Sequence, residues 1–168
     1  RVKTSNNQIC FEDECQPQKY CEQLETDVGD FIVKRRDGLF AYQLAVIVDD
    51  HLQGINQIVR GADLFDNTPR QIYLQQLLGF SQPDYLHFPV ATTADGKKLS
   101  KQNFSPEISN DNKKELLVKA LQFLGQNSPE AKEFSSIDEL WSFAQQHWNS
   151  NKIPKEMSLE FTSKTKEI

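Results

Sequence analysis

Between Gln57 and Thr92 the sequence alternates strand, helix and strand, and the helix is punctuated at both ends. Gln57–Arg60 reads as a short strand broken by Gly61. Thr68 supplies a cap, Pro69 the first helical position and Gln71 the glutamine three after the cap, ahead of Ile72, Leu74, Leu77 and Leu78, with Gly79 as the stop. Tyr85–Thr92 then returns to strand-like spacing. Such alternation demands an α/β architecture, because a helix with one apolar side must bury it against a neighbouring layer.

The flanks extend this pattern. Gln8–Glu14, with Ile9 and Phe11 in alternation, and Asp30–Arg36, with Phe31-Ile32-Val33, read as extended, and Asp37-Gly38 reads as a turn. Leu44–Val48 fits a buried strand or a buried helix, and the length of Gly38–Gly54 favours helix. Asp95-Gly96 forms a turn leading into Lys97-Lys98-Leu99-Ser100-Lys101. After Pro106 the character becomes helical: Leu116, Leu117, Ala120, Leu121 and Leu124 make one apolar face closed by Gly125. Ser136 and Glu139 form a capping box ahead of Leu140, Ala144 and Trp148. The expected organisation is residues 1–105 as an α/β nucleotide-binding half-domain, 106–153 as a small all-α module, and 154–168 as a charged, loosely held tail. The βα unit that normally opens such a fold with a phosphate-binding turn is not found.

The 168 residues suffice for one domain plus a small appendage. A formal net charge of −5 argues against a broad basic surface for phosphate backbones, so any nucleic-acid contact must be local. Cys10, Cys15 and Cys21 are an odd set that cannot close a full disulfide framework, and a reducing cytoplasm is their simplest home. No run approaches the roughly 20 apolar residues of a membrane span, and no signal segment opens the chain. The chain starts Arg1-Val2-Lys3-Thr4 without an initiator Met, as though cut from within a strand, and is expected to be a fragment.

Three segments carry candidate chemistry. Lys97–Gln102 presents cations and a hydroxyl after a glycine turn, suited to following polyphosphate charge, although a charge run is usually only a solvated surface. Arg60 ends a strand beside Gly61, where a planar guanidinium can grip a carboxylate with two parallel hydrogen bonds; pairing with a surface acid is the plain alternative. Tyr42 precedes the Leu44–Val48 run, and a tyrosine so placed is more often a packing residue than a ligand contact. Asp49, Asp50 and His51 are not assigned to a metal, because adjacent helical residues point apart.

Lys98-Leu99-Ser100-Lys101 matches the Lys-Met-Ser-Lys-Ser type signature of class I aminoacyl-tRNA synthetases. Joined to Arg36-Asp37-Gly38, Tyr42, Val48-Asp49-Asp50-His51, Val59-Arg60-Gly61-Ala62-Asp63 and Asn67-Thr68-Pro69-Arg70-Gln71, the run from Asp30 to Gln102 resembles the second half of the catalytic domain of bacterial glutamyl-tRNA synthetases. The resemblance implies a Rossmann-like fold and activation of glutamate by ATP, with magnesium expected. It implies that Tyr42 and Arg60 contact glutamate, that Lys98, Leu99, Ser100, Lys101 and Gln102 form the ATP signature loop, and that Lys101 is catalytic at the phosphates.

The residues from Asn103 to Ile168 leave no room for a large anticodon-binding region. Together with Arg35–Tyr42 and Lys98–Asn103, this makes the chain resemble the truncated paralogues that attach glutamate to queuosine in the anticodon of tRNA(Asp). The implied partners are glutamate, ATP and queuosine-bearing tRNA(Asp), for a monomer away from membranes. A fragment of an ordinary glutamyl-tRNA synthetase, and a non-catalytic RNA-binding or interaction module on the same frame, are the alternatives. The family's His-Ile-Gly-His type motif is absent here. Its zinc cluster of three cysteines and a tyrosine belongs upstream, and the spacing of Cys10, Cys15, Cys21 and Tyr20 lacks a Cys-x-Cys start, so no metal is assigned.

Overall fold

A computed structural model describes residues 1–100 and 110–161. The chain divides into two compact units, Arg1–His87 and Phe88–Ile168. Among the described residues no helix is long and apolar enough to cross a membrane.

In the first unit, β1 (Gln8–Phe11) pairs antiparallel with β2 (Tyr20–Gln23), with Phe11 opposite Tyr20 and Cys10 opposite Cys21. Strand alternation sends Ile9 and Phe11 into the core, while Cys10 meets Cys21 across the ladder in a disulfide. The odd set leaves one cysteine over, as expected, with the buried Cys15 outside the bridge, but the joined pair differs from the fully reduced set that a reducing home would hold. A short helix, α1 (Leu24–Asp27), drops Leu24 into the same core. Asp30–Arg36 is not a full strand; it makes isolated bridges, Val2 to Phe31 and Lys34 to Phe40. The turn expected at Asp37-Gly38 is present: Gly38 takes φ 88°, and Arg35 N–H donates to Leu39 C=O at 2.7 Å.

Gly38–Gly54 resolves into a helix, α2 (Tyr42–Leu52), and β3 (Gln57–Gly61) pairs with β4 (Asp84–Phe88). Between them runs α3 (Thr68–Leu78), which Gly79 ends at φ 69° so that Phe80 N–H reaches Gln75 C=O. Two expectations for α3 change. The residue at the cap is Asn67, without a side-chain cap bond, and Thr68 lies inside the helix with its hydroxyl turned to other partners. Its apolar stripe is also shorter, with Ile72 and Leu74 buried but Leu77 and Leu78 exposed. Ile9, Phe11, Leu24, Phe65, Ile72, Tyr73 and Tyr85 form the core of this unit. Burying such side chains is worth about 1.5–3 kcal/mol each.

The expected strand Tyr85–Thr92 proves to be two, because Pro89, lacking an N–H, separates β4 from β5 (Val90–Thr92), and β5 belongs to the second unit. The tail is not wholly loose: β6 (Ser158–Glu160) pairs parallel with β5. Helices α4 (Lys113–Phe123) and α5 (Ile137–Gln146) pack around Val118, Leu121, Phe134, Leu140 and Ala144. On α4 the buried pair is Val118 and Leu121, whereas Ala120 faces solvent. On α5 Ser136 caps as expected, accepting from Glu139 N–H at 3.2 Å. The Glu139 carboxylate reaches back to Ser135 rather than to the cap residue. With β5 and β6 included, this unit is not purely helical.

Candidate functional site

The first unit builds a polar site inside an aromatic shell. Asp13, just past β1, is buried, and its Oδ1 accepts backbone N–H bonds from Cys15 and Gln16 at 3.0 Å and from His87 at 3.2 Å. Its Oδ2 takes the His87 Nδ1 proton at 2.5 Å. Burial pushes the Asp13 carboxyl up, but the bonds from the His87 ring and the three amides outweigh it and hold it below its ordinary value. His87, in β4, is fully buried between Phe11, Phe65 and Tyr85.

On the far side of that ring stands Arg60, in β3. Arg60 Nε donates to His87 Nε2 at 2.9 Å, and Nη2 donates to Thr68 Oγ1 at 2.8 Å and to the Leu64 carbonyl at 3.4 Å. The guanidinium also lies 5.6 Å from the centre of the Tyr85 ring. Tyr42, half-exposed at the start of α2, lies close enough for its hydroxyl to act on Arg60, and Asp50 adds a nearby negative charge. Burial lowers the Arg60 pKa, while Tyr85, Tyr42 and Asp50 counteract the shift. Asp50 is itself raised, first by burial and also by Asp49, with Arg60 opposing. A charged fork is thus held on its protein side, beside a phenol, where a carboxylate ligand would be recognised by charge and geometry together.

Tyr42 and Arg60, the two residues the sequence offered for the amino acid, are therefore brought together. Asp13, Thr68 and His87 were missed. Thr68 carried a cap signal that masked its role, and Asp13 and His87 carried none, being 74 residues apart. Of the signature loop, Lys98 bridges Thr92 and Leu99 N–H donates to Ala91 at 2.9 Å, which places Lys98, Leu99 and Ser100 after a hairpin in the second unit. Its turn is closed by Gly96 at φ 78° and by an exposed Lys97–Asp95 pair at 2.6 Å. Lys101 and Gln102 lie outside the described residues. His51 stacks on Phe80 with 3.8 Å between ring centres, and among the described residues no three His, Cys, Asp or Glu side chains cluster as metal ligands.

The model of the catalytic domain of class I tRNA synthetases (E and Q) matches residues 1–161, and the chain belongs to that family. Among curated relatives it is similar to the glutamyl-Q tRNA(Asp) synthetase of Pseudomonas fluorescens, 46% identical over 95% of this chain and 53% of that protein. It is also similar to that of Dechloromonas aromatica, 47% identical over 93% of this chain and 52% of the other. The chain spans about half the length of these relatives. Among solved structures, glutamate-tRNA synthetase from Elizabethkingia anophelis shares the fold with a TM-score of 0.68. The match, at 22% identity, covers 95% of this chain and 35% of that one.

Proposed function

We propose that this chain supplies part of the glutamate site and the lysine signature loop of an enzyme that activates glutamate with ATP and transfers it to queuosine in the anticodon of tRNA(Asp). In this reading residues 1–105 are the later half of a Rossmann-like nucleotide-binding domain and 106–153 a helical module, in a monomeric cytoplasmic protein. The observation that carries it is Arg60, a half-buried guanidinium fixed through Nε and Nη2 and met by the Tyr42 hydroxyl. The relatives named glutamyl-Q tRNA(Asp) synthetase support the choice of acceptor.

The chemistry is attack of a glutamate carboxylate oxygen on the α-phosphorus of ATP. The bond to pyrophosphate breaks and glutamyl-adenylate forms; a hydroxyl of the RNA then takes the acyl group, losing its proton, as the acyl–phosphate bond breaks and AMP leaves. Here the protein's work is positioning and charge neutralisation. Arg60 and Tyr42 hold the amino acid, and the signature Lys98, Leu99, Ser100, Lys101 and Gln102, with Lys101 as its catalytic member, answers the phosphate charge. Magnesium arriving with ATP would be carried by the phosphates.

Glutamate-dependent ATP–pyrophosphate exchange of the full-length enzyme tests the reading. Arg60→Ala is expected to cut kcat/KM for glutamate by about 2–4 kcal/mol, the loss of a partly buried charge-assisted pair. Unchanged glutamate kinetics would remove Arg60 from the site. Charging tRNA(Asp) with and without queuosine tests the acceptor, and equal charging of both would reject it.

A further inference from the structure

We infer that Asp13 and His87 are positioning residues for Arg60, a relay that fixes the guanidinium for its carboxylate ligand. The inference rests on the reading of Arg60 as the glutamate contact. It begins from a tautomer that the neighbours dictate. Asp13 Oδ2 is an acceptor and lies 2.5 Å from His87 Nδ1, and Arg60 Nε is a donor and lies 2.9 Å from His87 Nε2. Only a neutral imidazole with its proton on Nδ1 satisfies both, because the opposite tautomer would set N–H against N–H. Asp13 cannot swing away, since three backbone amides hold its other oxygen.

The consequence passes to the arginine. Its Nε–H is spent on His87 and its Nη2 on Thr68 and Leu64, so three bonds from β4, α3 and the turn before α3 define the plane of the fork. The Nη1 donors are those these three bonds do not use. An arginine side chain otherwise carries substantial rotamer entropy, which a ligand would have to quench on binding. Here the fold has already removed much of that freedom, and the cost is borne by Asp13, Thr68 and His87, all buried and polar. A purely structural Asp–His strut would not need its outer nitrogen turned to the cation on which Tyr42 also acts.

The test uses the full-length enzyme and separates KM for glutamate from KM for ATP in pyrophosphate exchange. His87→Leu is expected to raise glutamate KM about tenfold or more with ATP KM little changed, as for loss of a charge-assisted hydrogen bond. His87→Gln, which can present an amide oxygen to Arg60 Nε, is expected to restore most of it. The double variant Arg60→Ala with His87→Leu should be no worse than Arg60→Ala alone, because the two act as one unit. If His87→Leu fails to fold, Asp13→Asn serves. An amide donating to Nδ1 moves the histidine proton to face Arg60, and glutamate KM should again rise selectively. A silent Arg60→Ala would overturn the glutamate reading itself. An effective Arg60→Ala beside unchanged glutamate KM in the His87 and Asp13 variants, or effects that multiply in the double variant, would overturn the relay alone.

Discussion

Asp13 is a carboxylate buried beneath an aromatic cluster, and its sign on stability is set by what surrounds it. Burial opposes ionisation, yet the His87 ring and three amides overcompensate and lower its pKa in the fold. A carboxyl that binds its proton less readily folded than unfolded stabilises the protein above its ordinary pKa of about 3.9 and loses that contribution as pH falls toward the lowered value. Asp13→Asn is therefore expected to destabilise near pH 7 by about 2 kcal/mol, the scale of hydrogen bonds to a charged group. Denaturant melts at several pH values should show the gap to wild type closing with acid below about pH 4. A gap that stays constant through that range would contradict the ionised carboxylate. At this scale the sequence offered Arg60 and Tyr42 as candidates, because the motifs in which they stand carry the family resemblance. It could not show Asp13 or His87, whose meaning lies in a contact across 74 positions.

Among the elements, the helix ends were the most legible, since glycine stops work through local backbone geometry. Gly79 and Gly125 both take φ 69°. Their surroundings differ: a Cβ at Gly79 meets nothing within 4 Å, whereas one at Gly125 would sit 2.2 Å from the Lys152 carbonyl oxygen. That closeness arises where buried Gln126 ties the end of α4 to Asn149 by two hydrogen bonds. Gly79→Ala should cost about 1 kcal/mol, the left-handed backbone alone. Gly125→Ala should cost at least about 2 kcal/mol, because backbone must also shift. Equal losses in urea unfolding would show that the Lys152 contact yields freely. The same scale shows where pattern misled. Thr68-Pro69-Arg70-Gln71 has the form of a cap, but the hydroxyl that should cap the helix accepts from Arg60 instead. Leu116, Leu117, Ala120, Leu121 and Leu124 suggested the buried stripe of α4; packing against α5 buries Leu121 with Val118 and sets Leu117 beside them.

For the whole molecule, the chain corresponds to about half the length of its curated relatives, and its chemistry is proposed for the larger protein. The isolated 168-residue chain is expected to show no glutamate-dependent ATP–pyrophosphate exchange under conditions where the full-length enzyme turns over. Robust exchange by the chain alone would mean that the described residues and their signature loop complete an ATP site unaided. What the sequence by itself determined is the set of decisions made within a few residues: the strand–helix–strand order from Gln57 to Thr92, the glycine turns, the family, and the two ligand candidates. What only the tertiary structure decided is which polar groups share a buried space. The Cys10–Cys21 bridge, the pairing of β6 with β5, and the chain from Asp13 through His87 to Arg60 are such cases. The physical reason is that propensity and turn chemistry act on neighbours along the backbone. A buried hydrogen bond depends on two groups arriving together in a low dielectric, and their separation in sequence carries no trace of it.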